Sequence, residues 1–249
     1  MSAQMKKYRM SEEIAYLLGI LFMAMGVACV SASNFGYSMI VAPAYLIYAK
    51  LGGILSFGTV EYLFQGLLLC VMCIAVRRFR VQYLFSFLTA IVYGYVFDLM
   101  LWLVGMVPSD GLLFRVGLFV LGTAFISISV ALFVRTYLAP EVYELFVREI
   151  AAVYGIVFGR VKLAYDCISC VGSIVLSVAL FGAGVFASFS FPALWDAVVS
   201  GYVLEGIGIG TVVAALVNGP CITLCGRWLD AHFTRTRVER IAAYLSIDG

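Results

Sequence analysis

Apolar residues run along this chain in long unbroken blocks, and polar residues fall in short gaps between them. A helix that crosses the hydrocarbon core of a bilayer needs about 20 such residues. Six stretches reach that length: 14–33, 58–76, 84–107, 112–134, 163–186 and 203–224. They predict an all-α fold, a polytopic transmembrane helical bundle of about six spans, forming one integral membrane domain over 1–249. Within it, 1–13 is the N-terminal segment, 14–226 the bundle and 227–249 an amphipathic tail.

Two further apolar pieces are too short for a crossing, and each contains a proline. They are "YSMIVAPAYLIYAK" at 37–50 and "FASFSFPALWDAVVSGY" at 186–202, which read as re-entrant or interfacial segments on the outer side. The segment "LAPEVYELFVREIAAVYG" after the fourth span has a different pattern. Val142, Leu145, Phe146, Ile150 and Val153 recur at helical spacing, and Glu141, Glu144, Arg148 and Glu149 form the opposite face. That pattern predicts an amphipathic helix lying on the bilayer surface, with Pro140 opening it. The tail "RWLDAHFTRTRVERIAAYLSIDG" is a second segment of this kind, its arginines drawn to anionic lipid.

Composition sharpens the class. Hydrophobic residues make up 64% of the 249, charged residues 12%, and mean hydropathy is +1.07, where a soluble domain carries about twice that charge. The net charge of +2 gives no support for nucleic-acid binding. Basic residues are retained on the cytoplasmic side of a membrane. With both termini inside, all of the 16 lysines and arginines except Lys50 and Arg115 fall on the inner side. This predicts a multi-pass membrane protein with both ends cytoplasmic. The N-terminus has some features of a cleavable secretory signal ending near "VSAS", but Glu12 and Glu13 sit just before its apolar run. An uncleaved first span fits better.

The glycine-rich stretch "GIGIGTVVAALVNGP", 206–220, does not form a nucleotide loop. It lacks the third glycine and the βαβ setting of a dinucleotide fingerprint, and it lacks the Gly-Lys-Ser/Thr of a phosphate loop. Inside a membrane, Gly206 and Gly210 allow close helix approach. The backbone at Gly208, Gly210 and Thr211 could alternatively face a polar cavity, and Asn218 needs a hydrogen-bond partner. The similarity of "SFGTVEYLFQG" (56–66) to "GIGTVVAALVNG" (208–219) suggests that spans one–two and five–six are a parallel repeat.

"GIGIGTVVAALVNGP", "TAIVYGYVFDLML" and "KLAYDCISCVGSIVLSVALFGAG" together resemble the YczE/YitT-like family of bacterial integral membrane proteins. The resemblance implies a small helical bundle in the cytoplasmic membrane and supplies no reaction. It puts Asp98, Asp166, Gly208, Gly210, Thr211, Gly219 and Pro220 at motif positions.

An ionisable group at the centre of a span costs at least about 2.5 kcal/mol, so each one needs a partner or a wet cavity. Glu61, Asp98, Arg115 and Glu205 all fall in the outer half of the predicted bundle. They form the candidate substrate or ion site, with Asp98 the deepest and flanked by Tyr93, Tyr95 and Trp102. Headgroup contact for the other three is the plainer alternative. Asp166 follows Lys162 by four residues, the spacing of a local ion pair.

Six cysteines form three closely spaced pairs near the inner ends of spans, and the only histidine, His232, lies in the tail. Small apolar packing explains these cysteines without a metal, and neither metal nor cofactor is expected. No hydrolase or metalloprotease motif is present, so no enzyme is expected. The leading reading is a small-solute permease coupled to protons or cations. Two alternatives stay open: a non-transporting regulator or scaffold, and a substrate-binding membrane subunit of a larger transporter. The expected partners are the lipid bilayer and a small-molecule or cation substrate, with a homo-oligomer compatible with the sequence.

Overall fold

The computed structural model describes residues 8–38, 40–107, 111–156, 158–182 and 206–237. The helices are α1 (Glu12–Ala32), α2 (Ala42–Leu51), α3 (Phe57–Val76), α4 (Gln82–Gly105), α5 (Leu112–Phe133), α6 (Val142–Tyr154), α7 (Phe158–Phe181) and α8 (Ile209–His232). Two short strands, β1 (Tyr8–Ser11) and β2 (Phe233–Thr236), pair in parallel. Six of the helices are long and apolar enough to cross a membrane. The chain is a multi-pass membrane protein. The β1–β2 pairing brings the start of α1 and the finish of α8 to one end of the bundle, here called the ladder end. The sixth span begins at Ile209 and continues through Pro220 to His232, so the first part of the expected tail is span and strand.

Local chemistry sets the helix limits. Ser11 caps α1 by accepting the Ile14 amide at 3.2 Å, with Glu12 and Glu13 in the first turn, where the helix dipole favours negative charge. Ser56 caps α3 in the same way, at 3.1 Å from the Thr59 amide. The short helices α2 and α6 each end on a left-handed glycine, Gly52 at φ 62° and Gly155 at φ 64°. α6 begins at Val142, so Pro140 lies in the approach to the helix.

The chain folds as two halves that repeat with opposite sense: α1–α4, then α5–α8. α1 packs on α4 and α5 on α8, while α2 packs on α7 and α6 on α3. α1 and α5 run antiparallel, as Phe22 stacking on Phe125 and Ser129 Oγ donating to the Gly19 carbonyl at 2.6 Å show. They cross where Gly26 and Gly122 meet backbone to backbone, each packed against the other's following turn at Ile126 and Val30, with no room for a Cβ on either glycine.

The sequence carries the same repeat. "GVACVSAS" (26–33) matches "GTAFISIS" (122–129), "VAP" (41–43) matches "LAP" (138–140), and "FGTVEYLFQ" (57–65) matches "FGRVKLAYD" (158–166). α3 therefore corresponds to α7, and the expected parallel repeat of α3 with α8 is replaced by this inverted one. Inverted repeats of this kind build many secondary transporters.

α2 fits the short re-entrant segment read from the sequence. The second such segment, 186–202, lies outside the described residues. α6 differs from expectation: it is not spread on the bilayer surface. An irregular stretch, 134–141, leads from the ladder end into the bundle, where Ser86 Oγ donates to the Pro140 carbonyl and Thr89 Oγ1 to the Ala139 carbonyl at 3.3 Å. α6 then runs back alongside α3, from Gln65 at its first turn to Ala75, whose carbonyl accepts Tyr154 Oη at 3.0 Å. Gln65 is eleven residues from the end of α3, so at about 1.5 Å per residue α6 starts near mid-bundle. Its acidic face is buried: Glu141, Glu144 and Glu149 are at most 8% exposed. Non-helical backbone at this depth is tolerated because protein surrounds it.

A candidate solute cavity

A cavity of about 420 Å³ sits where the first turns of α2 and α6 approach each other. Its polar lining is Glu61 on α3, Tyr93 on α4, Glu141, Tyr143 and Glu144 at the start of α6, Lys162 and Asp166 on α7, and Asn218 on α8. Ser38 joins them from the approach to α2, and Met23, Val27, Ile126, Val130 and Ile222 form the apolar wall.

Glu61 and Glu141 are each held on one side and open on the other. Glu61 is fully buried and accepts Tyr143 Oη at 2.9 Å through Oε1, while its Oε2 has no partner. Gln65 accepts the Val142 amide at 3.2 Å and reaches Glu141 Oε2 at 3.5 Å, which fixes the first turn of α6 against α3. Glu141 Oε1, Glu144 Oε2 and Asn218 Oδ1 are likewise buried without a partner. Lys162 and Asp166 pair at 3.1 Å, as their spacing predicts. Burial, followed by the nearby carboxylates of Glu144 and Glu61, pushes the Glu141 carboxyl well above its ordinary range, and Gln65 opposes the shift. Burial also raises Glu144, against the pull of the Lys162 ammonium. Both shifts disfavour the ionised form relative to an exposed carboxyl.

Of the expected site, only Glu61 and Asn218 among the described residues reach the cavity. Asp98 accepts Ser56 Oγ at 2.5 Å and the Gly58 amide at 2.8 Å, so it caps the first turn of α3. Arg115 donates to the carbonyls of Ser33 at 2.7 Å and Asn34 at 3.0 Å and lies over the Phe35 ring, closing the end of α1. Both side chains satisfy exposed helix ends. Glu205 lies outside the described residues. Gly208, Gly210 and Thr211 are engaged by the stretch leading to α2. The Gly210 amide donates to the Phe35 carbonyl at 2.8 Å, Thr211 Oγ1 to the Tyr37 carbonyl at 2.7 Å, and Gly208 packs on Gly36. These glycines serve close packing, and none of the three residues lines the cavity.

The chain matches the family of unknown function DUF6198 over residues 10–227. It belongs to that family. No curated protein and no solved structure matches the chain. For this DUF6198 member the site has to be read from its own geometry.

Sequence reasoning missed Glu141, Glu144, Tyr143 and Gln65. The signal was the repeated Ala-Pro, which marks two short helices entering the bundle from opposite ends. A second cavity of about 480 Å³ lies on the ladder side of Glu144, lined by Arg135, Arg148, Arg235 and Arg237 together with Glu12. Glu144 borders both cavities. Among the described residues no group of three His, Cys, Asp or Glu side chains is arranged to hold a metal ion.

Proposed function

We propose that this protein is a small-solute permease of the bacterial cell membrane, with the ladder end cytoplasmic, that works by exchanging the packing of its two halves. The distribution of basic residues supports that orientation, and the resemblance to YczE/YitT-like proteins agrees with the location. One observation carries the reading. Two half-depth helices, one from each inverted half, meet at a mid-bundle cavity walled by carboxylates with unsatisfied oxygens. Leaving such groups in a membrane interior is costly, and a bound solute offsets the cost.

The halves are packed unequally. α3 and α4 touch along one flank, where Gly58 and Gly94 meet, whereas α7 and α8 make almost no contact among the described residues. In the proposed cycle the second flank closes as the first opens, which turns the cavity from one side of the membrane to the other.

The test uses Tyr62 and Tyr95, whose rings lie 6.5 Å apart across α3 and α4. In a background without native cysteines, Tyr62→Cys with Tyr95→Cys is oxidised after reconstitution into vesicles. Uptake of a solute first identified by its stabilisation of the purified protein should stop, then return on reduction. Uptake that continues through the cross-link would overturn the alternating cycle. A regulator or scaffold would show no flux in either state.

A further inference from the structure

We propose that the cavity takes an extended organic cation, a primary ammonium, amidinium or guanidinium group on an apolar body, in exchange for protons held by Glu61, Glu141 and Glu144. The inference rests on the permease reading and names its substrate class and coupling ion.

Three features lead to it. The unpartnered atoms facing the cavity, Glu61 Oε2, Glu141 Oε1, Glu144 Oε2 and Asn218 Oδ1, are all oxygens, and once a carboxyl is ionised they act as acceptors, so the partner that completes the ionised site is a donor. The carboxylates do not converge as a metal site does, whereas N–H donors spread over a small organic group reach separated oxygens. The remaining wall is apolar and aromatic, with Val27, Ile126 and Ile222 beside the Tyr93 ring. Such a wall suits a hydrocarbon body and places a ring face near a cation.

The charge balance sets the coupling. The titratable groups facing the carboxylates are Tyr93 from α4, Tyr143 from α6, and Lys162, Tyr165 and Asp166 from α7, and on the ladder side Glu144 also faces the fixed charges of Arg135, Arg148, Arg235 and Arg237 with Glu12. α1, α5 and α8 contribute no ionisable side chain to the cavity wall. Lys162 and Asp166 neutralise one another, and the tyrosines stay neutral. The three glutamates therefore carry the variable charge. When a monocation binds, one carboxyl releases its proton to water and the resulting carboxylate accepts the cation's N–H donors. One positive charge enters, one leaves, and the site's net charge is unchanged. The empty protonated form and the cation-loaded form are thus the two states of similar electrostatic cost that can be carried across the membrane. Cation binding strengthens as pH rises, because the loaded form is the deprotonated one.

The probe is benzamidine, with neutral benzamide, benzyltrimethylammonium and magnesium chloride as comparisons, titrated calorimetrically into the full-length protein in detergent. Benzamidine should bind with release of about one proton, read from the dependence of the heat on buffer ionisation. Its affinity should rise about tenfold per pH unit below the carboxyl pKa, the slope for exchange of one proton. Benzamide should not bind, and benzyltrimethylammonium, which lacks N–H donors, should bind at least tenfold more weakly. Glu61→Gln and Glu141→Gln, each checked for a retained unfolding transition, should each weaken benzamidine at least tenfold. Equal binding of benzamide and benzamidine, binding indifferent to pH, or preferential binding of magnesium would each overturn the assignment. The permease reading is judged separately. Flux of a neutral or anionic solute without cation binding leaves it standing and defeats the cation proposal. Proton-linked cation binding with no flux in vesicles does the reverse.

Discussion

α2 and α6 occupy equivalent places in the two halves, yet only one is charged where it meets the cavity. An Ala-Pro step opens α2 and immediately precedes α6, both helices start inside the bundle, and both end on a left-handed glycine. The first turn of α2 offers Val41, Ala42 and Pro43, whereas α6 offers Glu141, Tyr143 and Glu144. The long helices beside them differ in the same way. The repeat aligns Glu61 and Gln65 of α3 with Lys162 and Asp166 of α7. On α7 the two residues satisfy each other, and on α3 they turn to α6 instead. The inverted halves thus share a backbone plan while their side chains have taken separate roles. The first half contributes Glu61 and Gln65 on α3, whereas the second holds both the open carboxylates of Glu141 and Glu144 and the self-neutralised pair on α7.

The largest test of this comparison concerns the flanks. Gly94 and Gly219 align across the halves, but a Cβ on Gly94 would strike the Gly58 carbonyl, whereas one on Gly219 meets nothing within 4 Å. Gly94→Leu should therefore destabilise the purified protein by about 1–3 kcal/mol or more, the usual cost of overpacking. Gly219→Leu should leave thermal unfolding of this state unchanged or slightly raised, since leucine is the better helix former. Equal losses at both sites would remove the asymmetry between the flanks.

A smaller effect tests the cavity. Glu141 has its folded-state pKa raised, so the native state binds a proton that the unfolded chain has lost above the ordinary carboxylate range. Stability should therefore fall as pH rises above that range towards the raised value. Glu141→Gln should flatten this fall and raise the unfolding temperature more at pH 8 than at pH 5. A pH profile that Glu141→Gln leaves unaltered would show that the carboxyl is not protonated in the native cavity.

The smallest effect tests Asp98, which the sequence favours as the functional carboxylate and the structure places as a cap. Asp98→Asn keeps an acceptor for the Gly58 amide and should cost about 1 kcal/mol or less, the scale of a cap substitution. Benzamidine affinity should not change. A tenfold loss of binding would return Asp98 to the site.

The spans were legible because membrane insertion reads length and apolarity, and Glu12–Ala32 or Leu112–Phe133 leave little else to read. The Lys162–Asp166 pair was legible as local spacing. The placement of α6 was not. Helical periodicity separates two faces without saying which one turns inward, and in a membrane protein the polar face can point to the centre. The inverted repeat was hidden by a distracting match. Gly-Thr-Val recurs in α3 and α8, both running the same way, while the true correspondence with α7 rests on Phe-Gly-x-Val. Asp98 misled because depth along a helix was judged without the neighbouring helix start, whose free amides were its partners.

The pairing of Tyr8–Ser11 with Phe233–Thr236 has a mechanical meaning. It fastens the opening strand of one half to the closing strand of the other, so any rocking between them has its pivot at this clasp. Displacement must grow with distance from it, along a lever of about 30 Å for a helix the length of α1. Removing Tyr8–Ser11 would free the hinge while leaving every residue that lines the mid-bundle cavity in place.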